Sequence, residues 1–345
     1  MMDVYSPKSL DEAIRLLDED PGLKLVAGGT DLIPRLNQRL ESYDRLCYIR
    51  PYPETSGVRT ESDGRLFVGA STRLNETAEI PELTPYTALI SAATHVASFQ
   101  IRNQATIGGN ILQENRCMFF NNQVHWSDVN HCFKWGGKMC YQFPKSKVCM
   151  ALFQSDVAPV LIAYGASVRV RGPEGDREIP AEKLYLTWNP KNPKNQKSIA
   201  HNEILLGILL PPAEEIGRSA YVRWTLRGTF DFPLLSCAVA VRTENDKVTG
   251  CSITFGAAGI KPQSFPAGAD AFRGQPLSEL PAIAKTLHGE AAKRIQPFRD
   301  THVDGDVRRE KAGWLLEAAV AELLSPDNGR NTWFRGSAEP MDSLE

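Results

Sequence analysis

Four of the seven cysteines of this chain lie in one short stretch, residues 116–150. They are Cys117, Cys132, Cys140 and Cys149, spaced C-x14-C-x7-C-x8-C, and the chain has no C-x2-C pair. The stretch shows neither a helical nor a strand period, so we predict a long loop, which inside a compact domain usually has a function. Clustered thiols in such a loop indicate metal or redox chemistry.

Three interpretations of these thiols are open on chemical grounds. A zinc ion would take His125 or His131 as a further ligand, although structural zinc sites usually contain a C-x2–4-C knuckle. A 4Fe–4S cluster needs four thiolates and accepts ligands from a loop. Four buried thiols without a metal fit less well, because the stretch lacks a core period. The residue types alone leave zinc and the cluster equally open.

Two Gly-Gly motifs stand about 80 residues apart, AGGTDL at 27–32 and TIGGNI at 106–111. Glycine lets the backbone approach a ligand closely, and consecutive N–H groups before a helix form a nest that suits phosphate. For a single Gly pair, a tight turn without a ligand is the plainer alternative. Neither motif is a Rossmann fingerprint or a P-loop. Two such motifs in one region favour a diphosphate.

A third polar position, Ser155–Asp156, precedes the apolar run VAPVL. Ser155 alone would be an ordinary N-cap. Asp156 would bind the ribose of a nucleotide or support the same cap. The remaining cysteines, Cys47, Cys237 and Cys251, occur in apolar strand-like segments, so we predict that they are core residues.

The surrounding elements alternate strand, Gly turn and helix over residues 1–115, which is α/β organisation. Ser6–Pro7 predicts the start of a helix. One face of that helix would carry Leu10, Ala13, Ile14 and Leu17. Residues 65–80 predict a strand and a helix, and residues 85–103 one longer helix with a packed, hydrogen-bonded His95.

The last third of the chain changes character after a polar, Pro-broken surface loop at 187–198. The segments AYVRWTLR, LLSCAVAVRT and CSITFGAAG predict strands, with a hairpin turn at 244–247, and helices are predicted around 277–295 and 307–324. We expect an α+β domain here, and a domain boundary shortly after the polar loop.

Composition excludes several classes of protein. The 345 residues are 42% hydrophobic, which suffices for two or three domains. The net charge is −2 and no Lys/Arg block stands out, so nucleic acid is not an expected partner. We see no signal peptide pattern and no run near the ~18 apolar residues of a membrane span, and expect a cytoplasmic protein that does not bind membranes.

The three motifs in this order, with FVGA at 67–70 and DFPL at 231–234, resemble the FAD-binding medium subunits of the molybdenum hydroxylases. This superfamily includes xanthine dehydrogenase, carbon monoxide dehydrogenase and aldehyde oxidoreductase. The resemblance runs from about Val4 to about Leu324. It implies an α+β fold with a PCMH-type two-part α/β FAD-binding domain at 1–212, divided into 1–55 and 56–212. A domain of the CO dehydrogenase flavoprotein C-terminal type at 213–326 and a tail at 327–345 would follow.

The resemblance also implies which residues bind FAD. Two segments would hold the diphosphate, namely Ala27, Gly28, Gly29, Thr30, Asp31 and Leu32, and Thr106, Gly108, Gly109 and Asn110. Ser155–Asp156 would hold the adenosine side through Asp156. Arg223 would lie near the flavin ring.

Residues at about 114–152 form an insertion between TIGGNI and Ser155 that most medium subunits of the superfamily lack. Its CMFFNN start, WGGKMC middle and KSKVC end resemble the insertion in the β subunits of 4-hydroxybenzoyl-CoA reductases, which binds a 4Fe–4S cluster. The resemblance therefore implies that Cys117, Cys132, Cys140 and Cys149 are the cluster ligands. Lys134, Lys138, Lys145 and Lys147 of the insertion predict a solvated face that could dock an acidic electron carrier.

The function implied is electron transfer through FAD and 4Fe–4S, with no catalytic residue on this chain. A 2Fe–2S small subunit and a molybdopterin-containing large subunit would be partners, in a dimer of heterotrimers. Ferredoxin would supply electrons that pass through 4Fe–4S, FAD and 2Fe–2S to molybdenum, where an aryl-CoA loses a phenolic hydroxyl. A related aldehyde or xanthine/N-heterocycle dehydrogenase with the reverse flow is one alternative. A zinc-stapled nucleotide-binding module without a redox role is another.

Overall fold

The computed structural model describes residues 2–49, 51–121, 131–186, 196–228, 230–300 and 303–325. They form two compact units, each built from separate segments of the chain. The first unit takes the residues up to 76, 99–151 and 165–211, and the second unit takes 77–98, 152–164 and those after 211. The domain bounds and the tail predicted from the sequence stay predictions, and residues 327–345 lie outside the described residues.

The described residues contain strands β1 (Asp3–Tyr5), β2 (Lys24–Val26), β3 (Arg45–Tyr48), β4 (Val58–Thr60), β5 (Leu66–Gly69), β6 (Ser167–Gly172), β7 (Gly175–Pro180), β8 (Ile204–Leu210), β9 (Arg218–Trp224), β10 (Leu235–Glu244), β11 (Lys247–Gly256) and β12 (Gln263–Ser264).

Their α-helices are α1 (Leu10–Glu19), α2 (Leu32–Asn37), α3 (Thr87–Thr94), α4 (Phe99–Arg102), α5 (Ile107–Leu112), α6 (Met118–Asn121), α7 (Val157–Ala163), α8 (Ala181–Leu184), α9 (Ala213–Ile216), α10 (Pro266–Phe272), α11 (Leu280–Thr286), α12 (His288–Lys293) and α13 (Gly305–Leu324). Within the described ranges, no helix has both the length and the apolar character needed to span a membrane.

Two sheets form the first unit. Strands β1, β3 and β2 are parallel, with Val4 beside Leu46 and Leu25 beside Cys47. The other sheet is antiparallel, in the order β4-β5-β8-β6-β7. All seven residues of its central strand β8 are buried. A continuous apolar run such as ILLGILL suits a strand that is covered on both faces.

Helix α1 packs between these sheets. Its buried face consists of Leu10, Ala13, Ile14 and Leu17, as predicted. These side chains share one core with Cys47 of β3, Phe67 of β5 and Leu209 of β8. The apolar stripe of one helix therefore joins both sheets into a single body, which supports the loops that follow β2 and β5.

The predicted start of α1 at Ser6–Pro7 is wrong. Ser9 is the N-cap, and its hydroxyl accepts a hydrogen bond from the Glu12 N–H at 3.2 Å. The Glu12 carboxylate in turn accepts the N–H of Lys8 at 2.7 Å. Ser9 is therefore the residue whose side chain caps the first turn, and Glu12 also binds the N–H that precedes it.

The second unit contains one antiparallel sheet in the order β12-β11-β10-β9. Helices α10 to α13 contribute to its core with residues such as Phe272, Ala291 and Leu316. Asn245 and Asp246 both have positive φ and form the predicted hairpin turn between β10 and β11. Cys237 is fully buried in this core, as predicted, and Cys251 packs against it.

Three helix predictions need correction. The helix predicted over 85–103 is two helices, because Ala97 has φ of +46°, a left-handed conformation that an α-helix does not contain. The stretch 277–295 contains a 3-10 turn at Leu277–Glu279 and then α11 and α12, which are separated by Leu287. Strand β5 is confirmed, but only a single 3-10 turn, Glu76–Ala78, follows it where a helix was predicted.

Phe67 links the core of the first unit to its charged surface, so its truncation tests this architecture. The ring is fully buried, and the Arg59 guanidinium carbon lies 3.7 Å from its centroid. We expect Phe67→Ala to lower the free energy of unfolding by about 3–5 kcal/mol, because it leaves a cavity in a packed core. Phe99→Ala is the matched control, since Phe99 is 59% exposed. Urea unfolding followed by circular dichroism measures both, and equal midpoints would contradict the assignment.

Candidate functional site

One cavity of about 820 Å³ in the first unit is lined by both Gly-Gly motifs. The first motif contributes all six residues from Ala27 to Leu32, between β2 and α2. The second contributes Thr106, Gly108 and Gly109 at the start of α5. Asn110 is buried and is not one of the described residues that line the cavity. We call this space the glycine cavity.

The two motifs meet because Gly28 lies directly against the backbone before α5. A Cβ at Gly28 would stand 1.9 Å from the Gln104 carbonyl oxygen, a distance no side chain tolerates. Gly29 has φ of +72°, which only glycine adopts without strain. Glycine is therefore required at both positions by the protein itself, before any ligand is considered.

The backbone donors of the two motifs differ in availability. In the part of the chain that the structure describes, the N–H groups of Gly28, Gly29 and Thr30 donate no hydrogen bond. In the second motif, Gly108 donates to the Ala70 carbonyl at 3.0 Å, and Gly109 donates to the Thr106 hydroxyl at 3.0 Å. The unused backbone N–H groups of the first motif suit an anion. The second motif lines the cavity, but the backbone N–H groups of Gly108 and Gly109 are already hydrogen-bonded.

The carboxylate of Asp31 is directed to protein partners. It accepts a hydrogen bond from the Arg116 guanidinium at 2.7 Å and from the Glu114 N–H at 3.2 Å. Arg35 adds an ion pair at 3.4 Å. These contacts tie the first Gly-Gly motif to the start of the cysteine insertion, and they neutralise a carboxylate that would otherwise repel a diphosphate.

Glu114 lies on the wall of the glycine cavity, and its side chain is 16% exposed. Burial alone would raise the pKa of its carboxyl, but the charges of Lys134, Lys197 and Arg35 lower it to about 2. Lys134 Nζ is 2.6 Å from Glu114 Oε1. The carboxylate is therefore charged throughout the physiological range.

Lys197 is a cation on the same wall that the sequence did not reveal. Burial lowers the pKa of its amine to about 8, against the opposing effect of Glu114. Lys197 and the buried Gln196 belong to the loop predicted at 187–198 as surface, so that prediction is wrong for its C-terminal end. Residues 187–195 lie outside the described residues. An anion in the cavity would favour the charged form of this lysine.

The four cysteines of the insertion line one small cavity, which we call the cysteine cavity. Cys140 and Cys149 are each 6% exposed, and Cys117 and Cys132 are half-buried. None of them is in a disulfide. Cysteines separated by 14, 7 and 8 intervening residues are thus brought to one place by a segment whose described part has only α6 and one 3-10 turn, Phe133–Trp135.

Backbone N–H groups surround the cysteine sulfurs. Burial raises the pKa of the Cys117 thiol to about 12, and the N–H groups of Phe119 and Phe120 act in the opposite direction. Burial likewise raises the pKa of Cys149 to about 11, and the Ala151 N–H lowers it. Such N–H donors stabilise thiolates, but without a metal the raised pKa values of Cys117 and Cys149 would keep these two thiols protonated at neutral pH.

The described residues contain no group of three or more His, Cys, Asp or Glu side chains placed to hold a single metal ion. His131 is exposed with its ring 5.9 Å from that of Trp135, and His125 lies outside the described residues. The four thiols thus line one cavity, and His131 is not among the described residues that line it.

The prediction of a solvated lysine face holds for three of four residues. Lys138, Lys145 and Lys147 are exposed. Lys134 is not, because its side chain is only 4% exposed, and it lines the cysteine cavity. Its ammonium donates to the Asn115 carbonyl at 2.7 Å as well as to the Glu114 carboxylate.

Asp156 and Arg223, predicted to bind the cofactor, lie in the second unit and pair with each other at 3.1 Å. Tyr221 donates its hydroxyl to the same Asp156 oxygen at 2.6 Å. Arg223 also donates to the His95 carbonyl at 2.5 Å and to the carbonyl of Asp231. Both side chains are buried, at 3% and 7% exposure, and their charges offset each other. Their predicted contacts with a cofactor stay predictions.

Two residues near this pair behave as ordinary structural groups. Ser155 accepts the Ala158 N–H at 3.0 Å, which is the N-cap role considered from the sequence. His95 hydrogen-bonds through Nδ1 to the Ser91 carbonyl at 2.7 Å, which confirms the prediction of a packed, hydrogen-bonded histidine.

The low pKa of Glu114 predicts how stability depends on pH. A folded pKa of about 2, below the ordinary 4.5, stabilises the fold fully above pH 4.5, and this contribution is lost as pH falls toward 2. This contribution to the free energy of unfolding is about 3 kcal/mol. We expect Glu114→Gln to be less stable than the wild type at pH 7, and the difference to shrink from pH 4.5 downward. Urea unfolding between pH 7 and pH 3 measures this, with the exposed Glu174→Gln as control. A difference independent of pH would contradict it.

Two family models match the chain. Residues 1–213 match the "FAD binding domain in molybdopterin dehydrogenase", and residues 220–323 match the "CO dehydrogenase flavoprotein C-terminal domain". These matches, with the architecture described above, confirm the predicted α+β fold class and its two domain types.

Curated relatives cover most of the chain. The xanthine dehydrogenase FAD-binding subunit of Escherichia coli O157:H7 is 26% identical over 291 residues, 83% of this chain and 85% of that protein. The carbon monoxide dehydrogenase medium chain of Hydrogenophaga pseudoflava is 25% identical over 321 residues, 92% of this chain and 94% of that protein.

Solved structures share the fold. The carbon monoxide dehydrogenase of Hydrogenophaga pseudoflava, in a form that lacks the Mo-pyranopterin moiety, has a chain with a TM-score of 0.73 at 23% identity, covering 93% of this chain and 96% of that one. A chain of quinoline 2-oxidoreductase of Pseudomonas putida 86 has a TM-score of 0.71 at 19% identity, covering 94% of this chain and 96% of that one. The chain therefore belongs to the family of FAD-binding medium subunits of the molybdenum hydroxylases, of the carbon monoxide and xanthine dehydrogenase type.

Proposed function

We propose that this chain is the FAD and 4Fe–4S electron-transfer subunit of a molybdenum-containing oxidoreductase of the 4-hydroxybenzoyl-CoA reductase type. The observation that carries the proposal is the pair of cavities in the first unit. One is lined by two Gly-Gly motifs and the other by four cysteines. When bound, the flavin would exchange electrons in pairs or singly, and the cluster singly.

The glycine cavity fits the diphosphate part of FAD. The unused N–H groups of Gly28, Gly29 and Thr30 would bind the phosphate oxygens, and Lys197 would add a positive charge. Gly109 would let the diphosphate approach closely, whereas Gly108 is required by packing, since a Cβ there would stand 2.9 Å from the Ala70 Cβ. The Thr106 hydroxyl, which already accepts the Gly109 N–H, still has its own proton to donate.

The cysteine cavity brings together the four thiols that a 4Fe–4S cluster needs as ligands. Four thiols line it, backbone N–H groups face the sulfurs, and a buried lysine lies beside them. Hydrogen bonds and nearby charge of this kind stabilise thiolates bound to an iron–sulfur cluster.

The substrate reaction would take place on a partner. The partners of the chain would be a small 2Fe–2S subunit and a large molybdopterin-containing subunit, in a dimer of heterotrimers. Ferredoxin would be the external electron donor. The names of the relatives favour a second candidate, the flavin subunit of an oxidising dehydrogenase of the xanthine or carbon monoxide type. The insertion with its four gathered thiols favours a one-electron partner and hence the reductase.

Gly109→Val tests the flavin assignment without disturbing the fold. Gly109 is exposed in the short helix α5, without positive φ, and a Cβ there would meet only Thr106 Oγ1, at 3.2 Å, among the described residues outside that helix. We expect the variant to fold and to lose most of its FAD, because the side chain would occupy the approach of the diphosphate. Flavin released on denaturation, measured per chain, gives the occupancy.

Gly289→Val is the matched control, because Gly289 is exposed in α12 and a Cβ there would meet no atom of the described residues within 4 Å. It should keep its flavin. Full FAD occupancy in Gly109→Val would count against the glycine cavity as the diphosphate site.

Cys140→Ser tests the cluster assignment. Cys140 is 6% exposed, and it lines the cysteine cavity but not the glycine cavity. We expect loss or degradation of the cluster with most of the flavin retained. Reduction by a one-electron donor should slow sharply, while reduction from the molybdenum side should survive. Iron and flavin analysis with stopped-flow reduction from each end measures this.

Cys251→Ser serves as the control, since Cys251 is a half-buried thiol of the second unit. Its iron content should equal that of the wild type. Four irons per chain in Cys140→Ser would sink the assignment of the cysteine cavity.

A further inference from the structure

Lys134 is a buried cation between the two cavities. Its side chain is 4% exposed, it lines the cysteine cavity, and its ammonium lies 4.8 Å from the centroid of the Phe120 ring. Its ion-pair partner Glu114, at 2.6 Å, lines the glycine cavity. One ion pair therefore reaches from the wall of one cavity to the wall of the other.

We propose that Lys134 is a positioning residue that sets the reduction potential of the cluster held in the cysteine cavity, by presenting a fixed positive charge on the cysteine side of the ion pair. This inference rests on the proposed function, because it requires the cluster. It concerns the charge of this side chain and not the ligands themselves.

The physical reason is the unequal charge of the two oxidation states. A cluster bound by four thiolates gains one negative charge on reduction, so a nearby buried cation favours the reduced state. Water would screen this effect at the surface, but Lys134 is shielded from it. The positive charge lies beside the thiols, because Lys134 lines the same small cavity as the four cysteines.

Glu114 explains how a lysine is tolerated in this place. An unpaired buried ammonium would be costly, and the carboxylate and the Asn115 carbonyl, at 2.6 Å and 2.7 Å, offset that cost. The carboxylate lies on the side of the glycine cavity and the ammonium on the side of the thiols. The ion pair therefore carries no net charge, and its positive end lies on the side of the cluster site.

The test is a redox titration of the holoenzyme, purified without oxygen and followed by electron paramagnetic resonance. We expect Lys134→Gln to shift the reduction equilibrium of the cluster about tenfold toward the oxidised form, which is about 59 mV to lower potential for one electron. Lys138→Gln is the matched control, since it removes the same charge from an exposed position in the same insertion. Its potential should equal that of the wild type.

Two further variants separate charge from structure. Lys134→Arg keeps the charge and should restore the wild-type potential. The double variant Lys134→Gln with Glu114→Gln removes both charges of this ion pair, so it should retain the cluster, with a smaller shift in the same direction. If Lys134→Gln alone loses iron, the double variant decides the question.

A wild-type potential in an iron-replete Lys134→Gln or double variant would overturn the inference and leave the proposed function intact. Loss of iron in the double variant would also overturn it, since Lys134 would then be needed for assembly. A wild-type protein without any iron–sulfur signal would instead refute the proposed function, and this inference with it. Lowered potentials in both variants, restored by Lys134→Arg, would support it.

Discussion

The contact between Gly28 and the Gln104 carbonyl is the constraint on which the candidate site depends. Because a Cβ would stand only 1.9 Å from that oxygen, the turn after β2 can lie directly on the backbone that leads into α5. This contact places two motifs that are distant in sequence on the wall of one cavity. The body that holds them is the core shared by α1 and both sheets of the first unit. Glycine is thus needed for assembly of the site as much as for ligand approach.

Buried charges extend this arrangement from the glycine cavity to the insertion. Asp31 binds Arg116 and the Glu114 N–H, and Glu114 binds Lys134, which lines the cysteine cavity. Each ion in this series has a partner of opposite charge, which is what makes it tolerable away from water. The insertion is therefore anchored to the flavin-binding frame by electrostatics, although the described part of it contains little regular structure. Electron transfer between two groups held in one unit would benefit from such a fixed relation.

Local patterns in the sequence predicted much of this fold. The apolar face of α1, the strands β5, β9, β10 and β11 and the first Gly-Gly turn depend on neighbours in the chain, and they are found as predicted. The second Gly-Gly motif differs, because it lies within α5. The gathering of four cysteines was inferred by resemblance, because their spacing alone allows several arrangements. Features set by distant partners were missed. Lys134 looks like a surface lysine until Glu114 is beside it, Lys197 gave no signal within a polar loop, and Gly109 was expected to offer a donor that Thr106 already occupies. The break at Ala97 likewise leaves no mark in a helix-favouring sequence.

The central claim is that one unit of this chain holds a flavin and a four-iron cluster together. Native mass spectrometry of the full chain, purified without oxygen, tests it most directly, because it weighs the bound groups without prior assumption about their identity. The account predicts one species that carries the mass of FAD plus one 4Fe–4S cluster. A chain that carries FAD with zinc, or FAD with no metal at all, would contradict it.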